Sequence, residues 1–195
     1  MTGWIRSQGS EIRLLLGYIL VTFSPGAKVP SHPQEPWEMG AMVGWSEAEH
    51  RFLIDEARRE IDRQQTEKRD ARARAQIVLT TTLVLGAAIS ATWHDRAQAG
   101  WLPLTLSVLA IVLDALAGLA AAGLITGRSP IGGPDLAALT KCDSSDVVAD
   151  ASGMYADSLF IGAAMVAAMV TVLRDSVLVL LLAFAAFAAA FFSAS

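Results

Sequence analysis

The sequence predicts an all-α integral membrane protein, with about four transmembrane helices in two hairpins preceded by a long charged cytoplasmic helix. Three observations predict it. Charged residues make up only 17% of the chain against 53% hydrophobic ones, and the mean hydropathy is +0.45; soluble domains carry about a quarter charged residues. The charge is also unevenly placed, nearly all of it before Gln76 or between Gly127 and Asp157. The bare stretches between are rich in Ala and Leu and lack the period-two alternation of strands.

Residues 1–45 are expected to form a disordered or interfacial segment. Arg6 and Arg13 precede the apolar run "LLLGYILVTF", and a linker with Pro25, Pro30, Pro33 and Pro36 follows. The run has the length of a signal-peptide core but no convincing small-x-small cleavage site. Cleavage would also leave the following charged helix outside, against the charge rule. Met39 and Met42 are alternative starts.

Residues 46–76 read as a charged cytoplasmic helix. "SEAE" at Ser46 is a capping box, in which Ser46 accepts from the Glu49 amide while Glu49 reaches back. No Gly or Pro interrupts the next thirty residues. Ile54, Ala57, Ile61, Gln64, Lys68, Ala71, Ala75 and Val78 recur at three- and four-residue steps, a heptad-like stripe with a polar middle. This stripe is either one side of a solvated helix or a seam for homo-oligomerisation. Asp55 to Arg59 and Asp70 to Arg74 have the favourable acid-first order. Eight acidic residues balance eight basic ones over this helix, which argues against nucleic acid, since a phosphate-binding surface needs a net basic face. Basic excess appears only at Lys68, Arg69, Arg72 and Arg74, where it fixes topology and can reach anionic headgroups.

Residues 77–126 form the first expected hairpin. Ile77 to Trp93 is a 17-residue run without charge, and Leu102 to Ile125 is interrupted only by Asp114. A spanning helix needs about 20 residues, with a range of roughly 17 to 25. Trp93 and Trp101 flank the intervening outer loop. Residues 154–195 form the second expected hairpin, apolar to Leu173 apart from Asp157 and again from Val177 to Phe192, turning at "RDS" (Arg174 to Ser176). A single fused helix would set Arg174 and Asp175 in mid-membrane, at several kcal/mol on insertion scales. With the hairpin, thirteen Lys and Arg lie inside and two, Arg96 and Arg174, outside. The positive-inside rule then places both termini in the cytoplasm of a cell with an inner (plasma) membrane.

Residues 127–153 form a cytoplasmic loop. "GRSPIGGP" lacks the lysine of a phosphate loop. Asp143, Asp146, Asp150 and Asp157 follow at steps that share one helical face, either solvated or docked on the basic face around Arg63 to Arg72. A metal site normally converges ligands from several elements, and none is expected here. The single cysteine, Cys142, excludes a disulfide framework, and the histidines at 32, 50 and 94 share no ligand spacing. No cofactor motif or nucleophile-base pair points to an enzyme.

Asp114 is the principal candidate site. An ionisable group near the middle of a span usually faces the bundle interior or water, and it serves either as a proton or ion site or as hydrogen-bonding glue. Gly118, Ala122, Gly123, Gly162, Ala163, Ala167 and Ala168 allow close helix packing.

The stretch "FLIDEARREIDRQQTEKRDARARAQIVLTTTLVLGAA" from Phe52 to Ala88 resembles the start of Pycsar-type transmembrane effectors and the related SLATT proteins. In these bacterial anti-phage proteins a charged cytoplasmic helix leads into a short hairpin of membrane helices. The likeness covers about 40 of the 195 residues and lies in helix phase and charge. The chain has "DARARAQ" in place of the entry motif of the Pycsar type, a second apolar pair and no clear ligand-binding domain. The resemblance implies an oligomeric, membrane-perturbing defence effector or scaffold triggered by a nucleotide second messenger. The alternative is a small channel or transporter subunit using Asp114.

Overall fold

A computed structural model of the chain describes residues 2–23, 30–31, 42, 44–127 and 147–193. Among the described residues there are five helices and no strand: α1 (Thr2–Phe23), α2 (Glu47–Ala91), α3 (Trp93–Ala99), α4 (Trp101–Thr126) and α5 (Val147–Ser193). Three of them, α2, α4 and α5, are long and apolar enough to cross a membrane. Three such helices in one all-helical chain suggest a membrane protein.

The capping box forms as its spacing demands. The Ser46 amide and hydroxyl donate to Glu49 Oε2 at 2.6 and 2.7 Å, and the Glu49 amide donates to Ser46 Oγ at 3.4 Å. From there α2 runs for 45 residues, joining the charged segment and the first apolar run into one helix. Its exposed ion pairs include Arg58 with Asp55, Arg59 with Glu56, and Arg63 with both Glu60 and Glu67. Arg59 thus takes the acid three residues back and not Asp55.

The second hairpin is not formed. Val147–Ser193 is a single helix of 47 residues that passes through Arg174 and Asp175. No Gly or Pro lies in "VLRDSVL" to break it, and the Ser176 hydroxyl donates back to Val172 O at 2.7 Å, within the helix. The penalty that favoured a turn presupposed uncompensated charge. Arg174 instead donates to Glu11 Oε2 at 3.1 Å and to Asp175 Oδ1 at 3.1 Å.

The N-terminal segment is helical over Thr2–Phe23. α1 is packed on α4, with Leu14, Tyr18, Ile19 and Val21 buried. Tyr18's carbonyl presses on Gly123, where a Cβ could not be accommodated, and the Thr22 hydroxyl donates to Leu119 O at 3.0 Å. Residue 18 facing 123 and residue 22 facing 119 makes α1 antiparallel to α4.

The helices divide into two compact units. One comprises 1–30, 71–128 and 169–195; the other comprises 31–70 and 129–168. In the first, α2 and α4 are antiparallel: Arg72 donates to Gly127 O at 2.6 Å, Thr82 lies against Gly118, and Gly86 lies against Asp114. The turn from α3 into α4 needs Gly100, whose φ of 130° is open to glycine and strained for L side chains.

In the second unit, α2 and α5 run side by side in the same direction. His50 meets Ser152, Arg58 meets Tyr155 and Gln64 meets Leu159. Ala57, Ile61 and Gln64, three positions of the heptad-like stripe, are buried within this unit, and Ala71, Ala75 and Val78 are buried within the other. These six positions of the stripe, read from sequence as either one side of a solvated helix or a self-association seam, are covered inside one chain. Helix periodicity identifies a buried face but not which helix buries it.

Candidate functional site

α4 carries one inward stripe at alternating steps of four and three: Pro103, Ser107, Ala110, Asp114, Ala117, Ala121 and Leu124, all buried. These steps repeat every two turns and keep the residues on one face. Small side chains dominate it, so neighbouring backbones approach closely. Asp114 is the one carboxylate on the stripe and is only 7% exposed.

The surroundings of Asp114 come from α2. A Cβ on Gly86 would lie 3.3 Å from Asp114 Oδ2, so the carboxyl occupies the space a larger residue would take. One turn nearer the start of α2, Thr82 packs against Gly118 of α4, with its Oγ1 3.0 Å from where a Cβ on Gly118 would stand. The Thr82 hydroxyl donates to Leu79 O at 2.8 Å and is committed to its own helix. Asp114 Oδ1 is buried and has no hydrogen-bond partner among the described residues. A buried acceptor left unpaired costs roughly 1–3 kcal/mol, more if charged. That cost marks Asp114 as a polar group kept inside the bundle without a structural partner to explain it.

Two turns along the same stripe, Ser107 meets Arg96 from α3. Arg96 is 2% exposed; its Nη1 donates to Ser107 Oγ at 3.3 Å, and its guanidinium carbon lies 4.2 Å from the centre of the Phe187 ring on α5. Arg96 Nη2 is buried without a described partner. By sequence Arg96 is only a loop charge and Ser107 carries no signal; neither the stripe that links Ser107 to Asp114 nor the folding of Arg96 under α5 is visible there.

The basic collar is split. Lys68 and Arg69 end the α2 portion of one unit, and Arg72 and Arg74 begin the portion in the other. Arg72 is tied to the Gly127 carbonyl, whereas Arg74 is exposed. Of the acidic loop residues, Asp143 and Asp146 lie outside the described residues; Asp150 is half-buried and Asp157 exposed on α5. Arg63 pairs with Glu60 and Glu67 of its own helix. Contacts between α2 and α5 in that unit include two from Arg58 and Gln64. Arg58 Nε donates to Tyr155 Oη at 3.1 Å and its guanidinium lies over that ring, and Gln64 Nε2 donates to Leu159 O at 3.2 Å.

His50 Nδ1 and Ser152 Oγ stand 2.7 Å apart, a juxtaposition the sequence did not signal. Both are buried, at 5% and 0% exposure, and Ser152 also bonds to Ala149 O at 2.7 Å. The pair joins α2 to α5 in this unit.

The chain matches no protein-family model, no curated protein and no solved structure.

Proposed function

We propose that this chain is a three-span protein of the bacterial plasma membrane, acting as a membrane effector with a cytoplasmic helical extension. The observation that carries it is the pairing of the charged half of α2 with the N-terminal half of α5 in one unit. Ion-paired Arg58, Arg59 and Arg63 belong in water, and α5 residues that touch this helix share its surroundings. The apolar stretch of α5 before Leu173 is then a packing surface, and the stretch from Ser176 to Ser193 is the span. Arg174 moves to the inner side, so fourteen of the fifteen Lys and Arg lie inside and only Arg96 lies outside. That is a stronger positive-inside distribution than the hairpin gives.

An odd number of spans puts the C-terminus on the outer face, in place of the cytoplasmic position the hairpin required. Fusions at Ser195 test this: alkaline phosphatase should be active there and green fluorescent protein dark. The opposite pattern restores the even count.

An effector must carry a cytoplasmic event into the bilayer. Within the unit that holds Asp114, α2 brings Gly86 against that carboxyl, which supports a role for this contact in the response. Exposed Phe52, Phe160 and Ile161 are apolar surface that lipid would not cover in a cytoplasmic extension, and we assign them to self-association. Cross-linking in membranes tests it; a purely monomeric pattern removes oligomerisation.

The unpaired Asp114 Oδ1 favours a second reading, a proton or ion site. Induced expression of wild type and Asp114→Asn with a membrane-potential dye separates the two. Depolarisation by the wild type alone supports the ion site. Depolarisation by both supports an effector that does not conduct through Asp114, and no effect from either leaves a scaffold.

A further inference from the structure

A groove of about 500 Å³ opens between α2 and α5 in the unit that holds Asp114. It falls within the roughly 300–1,000 Å³ range of ligand clefts. Its walls are Ile77 and Val78 of α2 and Val170, Leu173, Val177 and Leu178 of α5, and among the described residues its polar side chains are Arg74 and Arg174. Ile77 and Leu178 are 68% and 52% exposed, so the groove opens onto the outward surface of both helices.

The two arginines differ in state. Arg174 is held by Glu11 and Asp175, each bonded to the same Nη2 at 3.1 Å. Arg74 is exposed and makes no hydrogen bond or ion pair among the described residues. Arg72, two residues away and on another face of α2, has the uncharged Gly127 carbonyl as its described partner. Glu11 and Asp175 are both engaged by Arg174, so Arg74 is the arginine of the groove with no carboxylate bound to it among the described residues.

An apolar slot ending in arginine, at the end of the spans where Arg72 and Gly127 lie, matches a glycerophospholipid lying along the protein. We propose that the groove binds one anionic phospholipid of the inner leaflet. An acyl chain lies between Ile77, Val78, Val177 and Leu178, and the phosphate is held by Arg74, with Arg174 positioned beside it by its two carboxylates. Basic pockets between membrane helices on the cytoplasmic side are the general setting for such headgroups. This inference rests on the three-span reading only for the choice of leaflet.

The test is lipid retention by the full-length protein. Wild type, Arg74→Gln, Val177→Trp and Leu181→Trp are reconstituted with equal parts phosphatidylglycerol and phosphatidylcholine, purified in mild detergent, and their bound lipid is quantified by mass spectrometry. The wild type should retain phosphatidylglycerol selectively. Arg74→Gln should lower that retention about fivefold, the equivalent of one basic residue near a headgroup. Val177→Trp, which fills the slot, should lower it at least as far. Leu181→Trp, on the lipid-facing surface outside the groove (Leu181 is 58% exposed), should leave it unchanged. Equal retention by all four proteins, or equal loss of both lipids, overturns the site. The C-terminal fusions report on topology separately, so a selective site in a chain with its C-terminus inside would overturn only the leaflet.

Discussion

Asp114 of α4 stands against Gly86 of α2, with its Oδ2 3.3 Å from where a Cβ on that glycine would lie. One helix supplies the carboxyl and the other supplies the absence of a side chain. A substituent at residue 86 therefore tests whether the room is used. Gly86→Ala should be nearly neutral in detergent melts, because the helix-propensity gain of roughly 1 kcal/mol offsets a small shift of the carboxyl. Gly86→Ile should cost about 1–3 kcal/mol through overpacking. Equal melting of all three proteins would show that the two helices are not in contact here.

Asp114 itself should be a liability to stability. Asp114→Leu removes an acceptor that lacks a described partner, and replacement of a buried polar group by an apolar one is often neutral or stabilising. The melting temperature should hold or rise. A fall of several degrees would instead identify Asp114 as glue between helices, since losing a bonded polar group costs stability.

Arg96 should couple energetically to Phe187. The guanidinium carbon lies 4.2 Å from the ring centre in a buried setting, where a cation–π contact contributes about 0.5–2 kcal/mol. A double-mutant cycle of Arg96→Met and Phe187→Leu should return a coupling in that range. Strict additivity of the two substitutions would remove the contact.

Gly162 and Gln64 should behave as a pair. A Cβ on Gly162 would collide with the Gln64 amide oxygen, forcing the amide away from Leu159 O. Gly162→Ala alone should lose about 1 kcal/mol, the worth of one hydrogen bond, and Gln64→Ala should cost more by leaving a gap. With Gln64→Ala already present, Gly162→Ala should cost less than it does alone, because the collision has gone. The same penalty in both backgrounds would show that the two residues do not meet.

The capping box should carry a pH signature. Hydrogen bonds from the Ser46 backbone and hydroxyl hold the Glu49 carboxyl below its ordinary value of 4.5. A depressed folded value means the stabilisation is fully present above the unfolded pKa and is lost as pH falls through the folded one. The melting difference between wild type and Glu49→Gln should be constant from neutral pH to about pH 5 and shrink below it. A difference independent of pH would sink the assignment.

Much of this architecture was legible because it rests on local rules. Ser46 and Glu49 had to meet at their spacing, and an uninterrupted run without Gly or Pro had to continue as helix. The bare stretches after Gln76 and Trp101 had to be apolar spans. At "RDS" the same local rules gave the right answer and a solvation penalty gave the wrong one. That penalty depended on whether Arg174 had a partner, and Glu11, more than 160 residues away in sequence, is not visible to a local reading.

The sequence by itself determined the helical class, the start of α2, and the expectation that Asp114 faces the interior. These follow from residue spacing and from transfer free energies, both properties of short segments. Only the tertiary structure decided which surface covers each stripe. The α2 face that suggested a second copy is buried within the chain, α1 docks on α4 at Gly123, and Arg96 folds under Phe187. Apolar burial is proportional to area and indifferent to the identity of the neighbour, so partner choice rests on the close fit of small residues such as Gly86, Gly123 and Gly162 against distant side chains.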